Sequence, residues 1–247
     1  MTEVVDALVA RMEGLLSGLE DSDDPARFFL GTYLRTTRAV GAALDRGAFD
    51  DTSWVAAWDV DFAELYLDAL TAYRQHPGTV ARPWRLAFGA DPDLPPEGHV
   101  LLGMNAHINY DLPQSLIRMI PPAEFADPEL LVRRHRDHAR IDRVLASRVA
   151  AEDVALQLAG GRRTVLDRFA APANRWASRM FLREARRKVW ATTESLHDAR
   201  LRSSTAYAGR LADLEAASAD RIDDILRPGP VLIRLAIHGF GVTLPCL

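Results

Sequence analysis

An all-α fold follows from three observations on this sequence. Apolar residues recur at helical spacing through most of the chain, no stretch alternates with the period of two expected of a strand, and Pro, Gly and Asp clusters punctuate the chain at helix-length intervals. With no helix–strand alternation and no fixed-period repeat, the expected architecture is a single-domain helical bundle of about seven to nine helices spanning residues 1–247.

The first helix runs from about Glu3 to Leu19, with Val4, Leu8, Met12, Leu15 and Leu16 on one stripe. Asp21-Ser22-Asp23-Asp24-Pro25 stops it and opens the second, expected over Pro25 to Arg46 and ending near Gly47. Consecutive acids ahead of a helix favour the positive end of its dipole, so this cluster reads as capping rather than as a metal site. The third helix begins after Asp50-Asp51-Thr52-Ser53 and runs to about His76; it carries Trp54, Trp58, Asp59, Asp61, Glu64, Tyr66 and Asp68. Its acids are more numerous than an ordinary core face carries, and Asp61, Glu64 and Asp68 fall on neighbouring ridges. Arg82 to Phe88 reads as a short helix, and the Pro-rich stretch Asp91 to Gly98 as an irregular loop. A buried helix follows through Ile120, broken at Pro113. Asp127-Pro128 opens the next, through about Leu158, ahead of a break at Gly160-Gly161. After Pro172 a long helix carries an aromatic seam of Trp176, Met180, Phe181, Val189 and Trp190, and Ser203 to Leu226 forms another amphipathic helix. The apolar tail, 229–247, is expected to pack on the body, with dimerisation through an exposed tail as the alternative.

Composition excludes several function classes. A net charge of -4 with intermixed signs lacks the clustered basic face of a nucleic-acid binder. The single cysteine, Cys246, rules out an internal disulfide and cysteine metal knuckles, which fits a reducing cytoplasm. The N-terminus shows no signal-peptide pattern, and no run of apolar residues is long enough to span a membrane. Phosphate loops of the GxxxxGK type, GxGxxG, GxSxG and HExxH are absent, as are the DDxxD of ion-dependent terpene cyclases and the paired ExxH of di-iron bundles.

What remains is Asn105-Ala106-His107-Ile108-Asn109-Tyr110-Asp111-Leu112-Pro113, polar groups of catalytic type at every second position inside an apolar run. Helical geometry places Asn105 and Asn109 on one face and His107 and Asp111 on another. A carboxylate four residues beyond a histidine can orient the imidazole as a general base, with the asparagines holding a substrate carbonyl or oxyanion. Asp59 is a candidate second acid, and Tyr33, Asp137, Trp58 and Tyr66 are candidate substrate contacts. His138 and Asp142 repeat the same spacing, so His107, Asp111, His138 and Asp142 form an alternative metal set of mixed nitrogen and oxygen ligands.

The segments "YLRTTRAV" (Tyr33 to Val40), "DVDFAELYLDAL" (Asp59 to Leu70), "RPWRLAF" (Arg82 to Phe88) and "GMNAHINYDLP" (Gly103 to Pro113) together resemble a bacterial family of unknown function marked by an NAHINxDLP signature. The likeness runs to about Leu145 and resumes around Trp176 to Trp190. Members of that family tend to carry tyrosine and asparagine where this chain has His138 and Asp142, and often asparagine near Glu64. The resemblance implies a helical fold and a shared polar site, and implies no activity.

Three functions are compatible with these residues. The first is a cofactor-free small-molecule enzyme of specialised metabolism, a lyase, isomerase or cyclase working by acid–base catalysis in an apolar helical pocket. A hydrolase or oxygenase using a divalent metal is the second. In the third, a non-catalytic binding or scaffold protein, the Asn-His-Asn-Asp run is a satisfied buried network.

Overall fold

The computed structural model describes residues 3–158, 165–229 and 231–244, with the side chains of 146–182, 232, 233 and 236 outside the described set. Every regular element among the described residues is helical: α1 (Glu3–Asp21), α2 (Ala26–Asp45), α3 (Thr52–Gln75), α4 (Arg82–Phe88), α5 (Pro96–Ala106), α6 (Leu112–Met119), α7 (Pro122–Phe125), α8 (Pro128–Leu158), α9 (Val165–Arg202), α10 (Ser204–Leu226) and α11 (Val231–His238). A 3-10 turn covers Pro77–Thr79, and a π turn, His107–Asp111, joins α5 to α6. The fold is all-α, and no helix among the described residues is long and apolar enough to cross a membrane.

The chain divides into two compact units. The first comprises Met1–Val60, Asp91–Leu101 and Glu129–Met180, and the second Asp61–Ala90, Leu102–Pro128 and Phe181–Leu247. In the first unit α1 and α2 pack through Val5, Leu8, Met12 and Leu19 on one side and Leu30, Leu34, Val40 and Leu44 on the other. The acidic cluster between them works on both helix ends. Asp23 takes a left-handed conformation, φ 54°, while the Asp24 amide donates to Leu19 O at 2.9 Å, so the pair closes α1 as a Schellman turn. Asp24 Oδ1 then accepts from the Ala26 amide at 2.9 Å and caps α2. Gly47, φ 65°, ends α2 in the same manner, with the Ala48 amide on Ala43 O.

The start of α3 is set by carboxylates. Asp51 Oδ1 accepts from the Trp54 amide at 3.0 Å as the N-cap. Asp137 of α8, fully buried, accepts from the Asp50 and Asp51 amides at 2.8 and 2.9 Å. Arg140 pairs with Asp137 at 3.0 Å, and Arg134 with Asp51 at 2.6 Å, its guanidinium over the Trp54 ring. Asp137 thus fastens the α2–α3 turn to α8.

In the second unit α10 packs on α4, α11 and the π turn. The Asp220 and Asp223 carboxylates of α10 both face Arg82, at 3.5 and 2.6 Å, and Glu215 Oε1 accepts the Arg82 amide. Ser203 Oγ caps α10 by accepting from the Ala206 amide. Arg200 of α9 closes the other end of α6, donating to Ile117 O and Ile120 O at 2.7 and 2.8 Å. Ile117, Leu196, Leu214, Val242 and Leu244 form one apolar cluster of this unit, so the residues after α11 pack inward while Ile237 stays 70% exposed.

Two boundaries differ from the sequence expectation. The Pro-rich loop ends at Pro95, because Pro96 occupies the first position of α5, where its missing N–H costs nothing. α9 begins at Val165, ahead of Pro172, rather than after it. The expected break at Pro113 takes the form of a π turn, after which α6 opens at Leu112 with Pro113 in its first turn. Of the aromatic seam, Val189 and Trp190 are buried core residues; the side chains of Trp176, Met180 and Phe181, the Gly160-Gly161 connection and Cys246 lie outside the described residues.

Replacing Asp137 with alanine strands the Asp50 and Asp51 amides and removes one of the two carboxylates that hold Arg140. Urea unfolding should show a loss of about 3 kcal/mol, against less than about 0.5 kcal/mol for the exposed control Asp93→Ala.

Candidate functional site

Pro113 has no N–H to return to Asn109 O, and the helical path widens over the residues just before it. The Leu112 amide donates to His107 O, five residues back, which defines the π turn. This turn begins at His107 and ends at Asp111, both buried at 3% and 2% exposure. His107 Nδ1 and Asp111 Oδ2 are 2.9 Å apart. From α4, Trp84 Nε1 donates to both carboxylate oxygens of Asp111, at 3.0 and 3.2 Å. An ionised Asp111, its two oxygens already accepting from Trp84, takes a further hydrogen bond from Nδ1 when the ring carries its proton there.

Aromatic rings close around the dyad. Phe62 of α3 lies face-on against the imidazole, centroids 3.7 Å apart and planes 4° apart, and Tyr66 and Trp84 tilt toward it at 5.9 and 6.1 Å. Burial pushes the His107 imidazole below its ordinary value even against the pull of Asp111, so the ring is neutral. Burial likewise pushes the Asp111 carboxyl up, opposed by its bonds to His107 and Trp84.

The other face of the motif is a tether. Asn105 Nδ2 and Asn109 Nδ2 both donate to Phe240 O, at 3.1 and 2.9 Å. Glu184 Oε2 of α9 accepts from the Phe240 and Gly241 amides at 3.1 and 2.9 Å, and Lys188 bridges Glu184 and Gly241 O. Gly239 has φ 78°, and a Cβ on Gly241 would sit 2.7 Å from Ala185 Cα, so the segment seats on α9 only with glycine at both positions.

The sequence-derived residues divide between the units. His107, Asp111, Asn105, Asn109 and Tyr66 lie in the second, whereas Asp59, Trp58, Tyr33, Asp137, His138 and Asp142 lie in the first. The structure brings together His107 with Asp111 and Asn105 with Asn109. In the first unit, Trp58 stacks on Trp54 at 5.2 Å and tilts on His138 at 5.7 Å, while Tyr33 stacks on Phe29 and Asp137 is committed to the α3 turn. Asp59 Oδ2 is buried with no hydrogen-bond partner among the described residues, and burial pushes its carboxyl up to about 7. Asp61 of α3 accepts from Ser115 Oγ and Arg118 at 2.6 and 3.0 Å. No group of three or more His, Cys, Asp or Glu side chains among the described residues is gathered to hold a metal ion.

Sequence reasoning missed Trp84, Phe62, Phe240 and Glu184 as parts of this arrangement. Trp84 had a legible signal, an indole N–H in a short apolar helix that must find an acceptor once buried. Phe240 takes part through its backbone and carries no such signal.

Fold and site together define a class: an all-α protein built around a desolvated His–Asp pair on a π turn. The chain belongs to the family of unknown function DUF5995, whose model matches residues 5–228. No curated protein and no solved structure matches it.

Two outcomes test this geometry. The folded state binds a proton at Asp59 that the unfolded chain has already released between the ordinary value of 3.8 and about 7, so this group's stabilisation is lost as pH rises through that window. Asp59→Asn should therefore raise Tm at pH 8, by roughly 2–4 °C for each kcal/mol relieved, and leave it nearly unchanged at pH 4. Gly241→Ala should lower Tm and speed hydrogen exchange at the Phe240 and Gly241 amides.

Proposed function

We propose that this chain is a small-molecule enzyme of acid–base type, a lyase, isomerase or cyclase, in which His107 is the general base and Asp111 its positioning carboxylate. One observation carries the reading: Nδ1 of His107 faces a carboxylate that Trp84 holds by both oxygens. An imidazole bound in this way keeps its proton on Nδ1 and its basic lone pair on Nε2, and the carboxylate stabilises the imidazolium formed when a proton is taken. Desolvation favours the neutral ring, so the base is ready at neutral pH. Its face is covered by Phe62 and its surroundings are aromatic, which suits an apolar substrate admitted as that cover shifts.

A second reading rests on a different observation. Asn105, Asn109 and Asp111 all spend hydrogen bonds on protein groups, Phe240 O and the Trp84 indole, which is the pattern of a structural network in a non-catalytic binding or scaffold protein.

His107→Asn separates the two, because the asparagine Nδ2 can replace Nδ1 as a donor to Asp111 but supplies no base. Purified protein is incubated with a fractionated bacterial metabolite pool, and depletion is followed by mass spectrometry. The enzyme reading expects a compound consumed by the natural chain and spared, by at least about a hundredfold in rate, by a variant whose Tm stays within about 5 °C. Equal consumption by both proteins, or consumption by neither, sinks it in favour of the network.

A further inference from the structure

The first unit holds a cavity of about 490 Å³. Its floor is Ala39, Ala42 and Ala43 of α2 with Phe49, apolar and small enough to leave open space. Its polar lining is three arginines: Arg46 at the end of α2, and Arg140 and Arg143 one turn apart on α8. Only one of these charges is neutralised. Arg140 is held by Asp50 and Asp137, whereas Arg46 and Arg143 are exposed and form no ion pair among the described residues. Two unneutralised guanidinium groups in one cavity of a chain with net charge -4 are a local reversal of sign. Guanidinium forks match the oxygens of carboxylates and phosphates, and the volume is that of a small-molecule site.

We propose that this cavity binds a small amphiphilic oxyanion, with its carboxylate or phosphate at Arg46 and Arg143 and its apolar body on the alanine and phenylalanine floor. Arg140, fixed by its two aspartates, lends a stationary third charge, and Phe49 supplies the aromatic contact. The site is built from first-unit residues, whereas the His107–Asp111 pair belongs to the second. It therefore stands whether or not that pair is catalytic.

Two fluorescent probes that share one aromatic body test the assignment. 8-Anilinonaphthalene-1-sulfonate carries the anion, and N-phenyl-1-naphthylamine lacks it. The full chain is expected to bind the sulfonate, and Arg46→Glu with Arg143→Glu to weaken that binding by about tenfold or more while changing the neutral probe's affinity less than about twofold. Both positions are exposed, so the double variant should keep the natural Tm. Ala42→Phe, which fills the floor, should weaken both probes. Decanoate or decyl phosphate should displace the sulfonate, and the one acting at lower concentration identifies the headgroup. Sulfonate binding that is absent, insensitive to the charge reversal, or displaced by neither amphiphile overturns the proposal.

Discussion

The buried carboxylate of Asp111 is the constraint from which the second unit takes its arrangement. An unpaired carboxylate at 2% exposure would cost several kcal/mol, comparable with the whole net stability of a domain. Two donors offset that cost, the single Trp84 indole N–H shared between both oxygens and the His107 ring. Each donor constrains an element. The indole fixes α4 against the π turn, and the imidazole has to lie at the opposite end of that turn, where Phe62 of α3 can stack on it. Phe62 and Trp84 then define an aromatic shell that keeps water from competing for the carboxylate.

The asparagines extend the same turn in a second direction. One backbone carbonyl, Phe240 O, receives both carboxamides, and the adjoining amides are received by Glu184. The polar run therefore joins the π turn, α9 and the chain beyond α11 through hydrogen bonds that exist only in the folded state. The first unit uses carboxylates to similar effect: Asp137 takes two backbone amides and an arginine, and Asp51 caps α3 while holding Arg134. Asp59 departs from this pattern, since no described group offsets its burial and its carboxyl is held toward the neutral form instead.

Much of the site was legible because helix geometry is local. The four-residue spacing alone pairs His107 with Asp111 and Asn105 with Asn109, and widening the turn to five residues per hydrogen-bonded loop did not separate either pair. The capping role of Asp24, the glycine ending α2 and the serine opening α10 were legible for the same reason, since each acts within a few residues of itself. Partners distant in sequence were not. Asp137 looked like a substrate contact because a buried acid is ambiguous until its donors, here amides 86 and 87 residues away, are known.

The sequence by itself determined the helical class, most helix ends and the two polar faces of the central motif. Hydrophobic period, proline and glycine placement and capping residues act over one or two turns and need no knowledge of the rest of the chain. Tertiary structure alone decided what those faces meet: an indole from α4 on the carboxylate, a ring from α3 on the imidazole, and a backbone carbonyl beyond α11 on the asparagines. It also decided that Arg46 and Arg143 share one cavity. These contacts join residues far apart in the chain, and a backbone acceptor such as Phe240 O is the same chemical group at every position, so no residue type announces it.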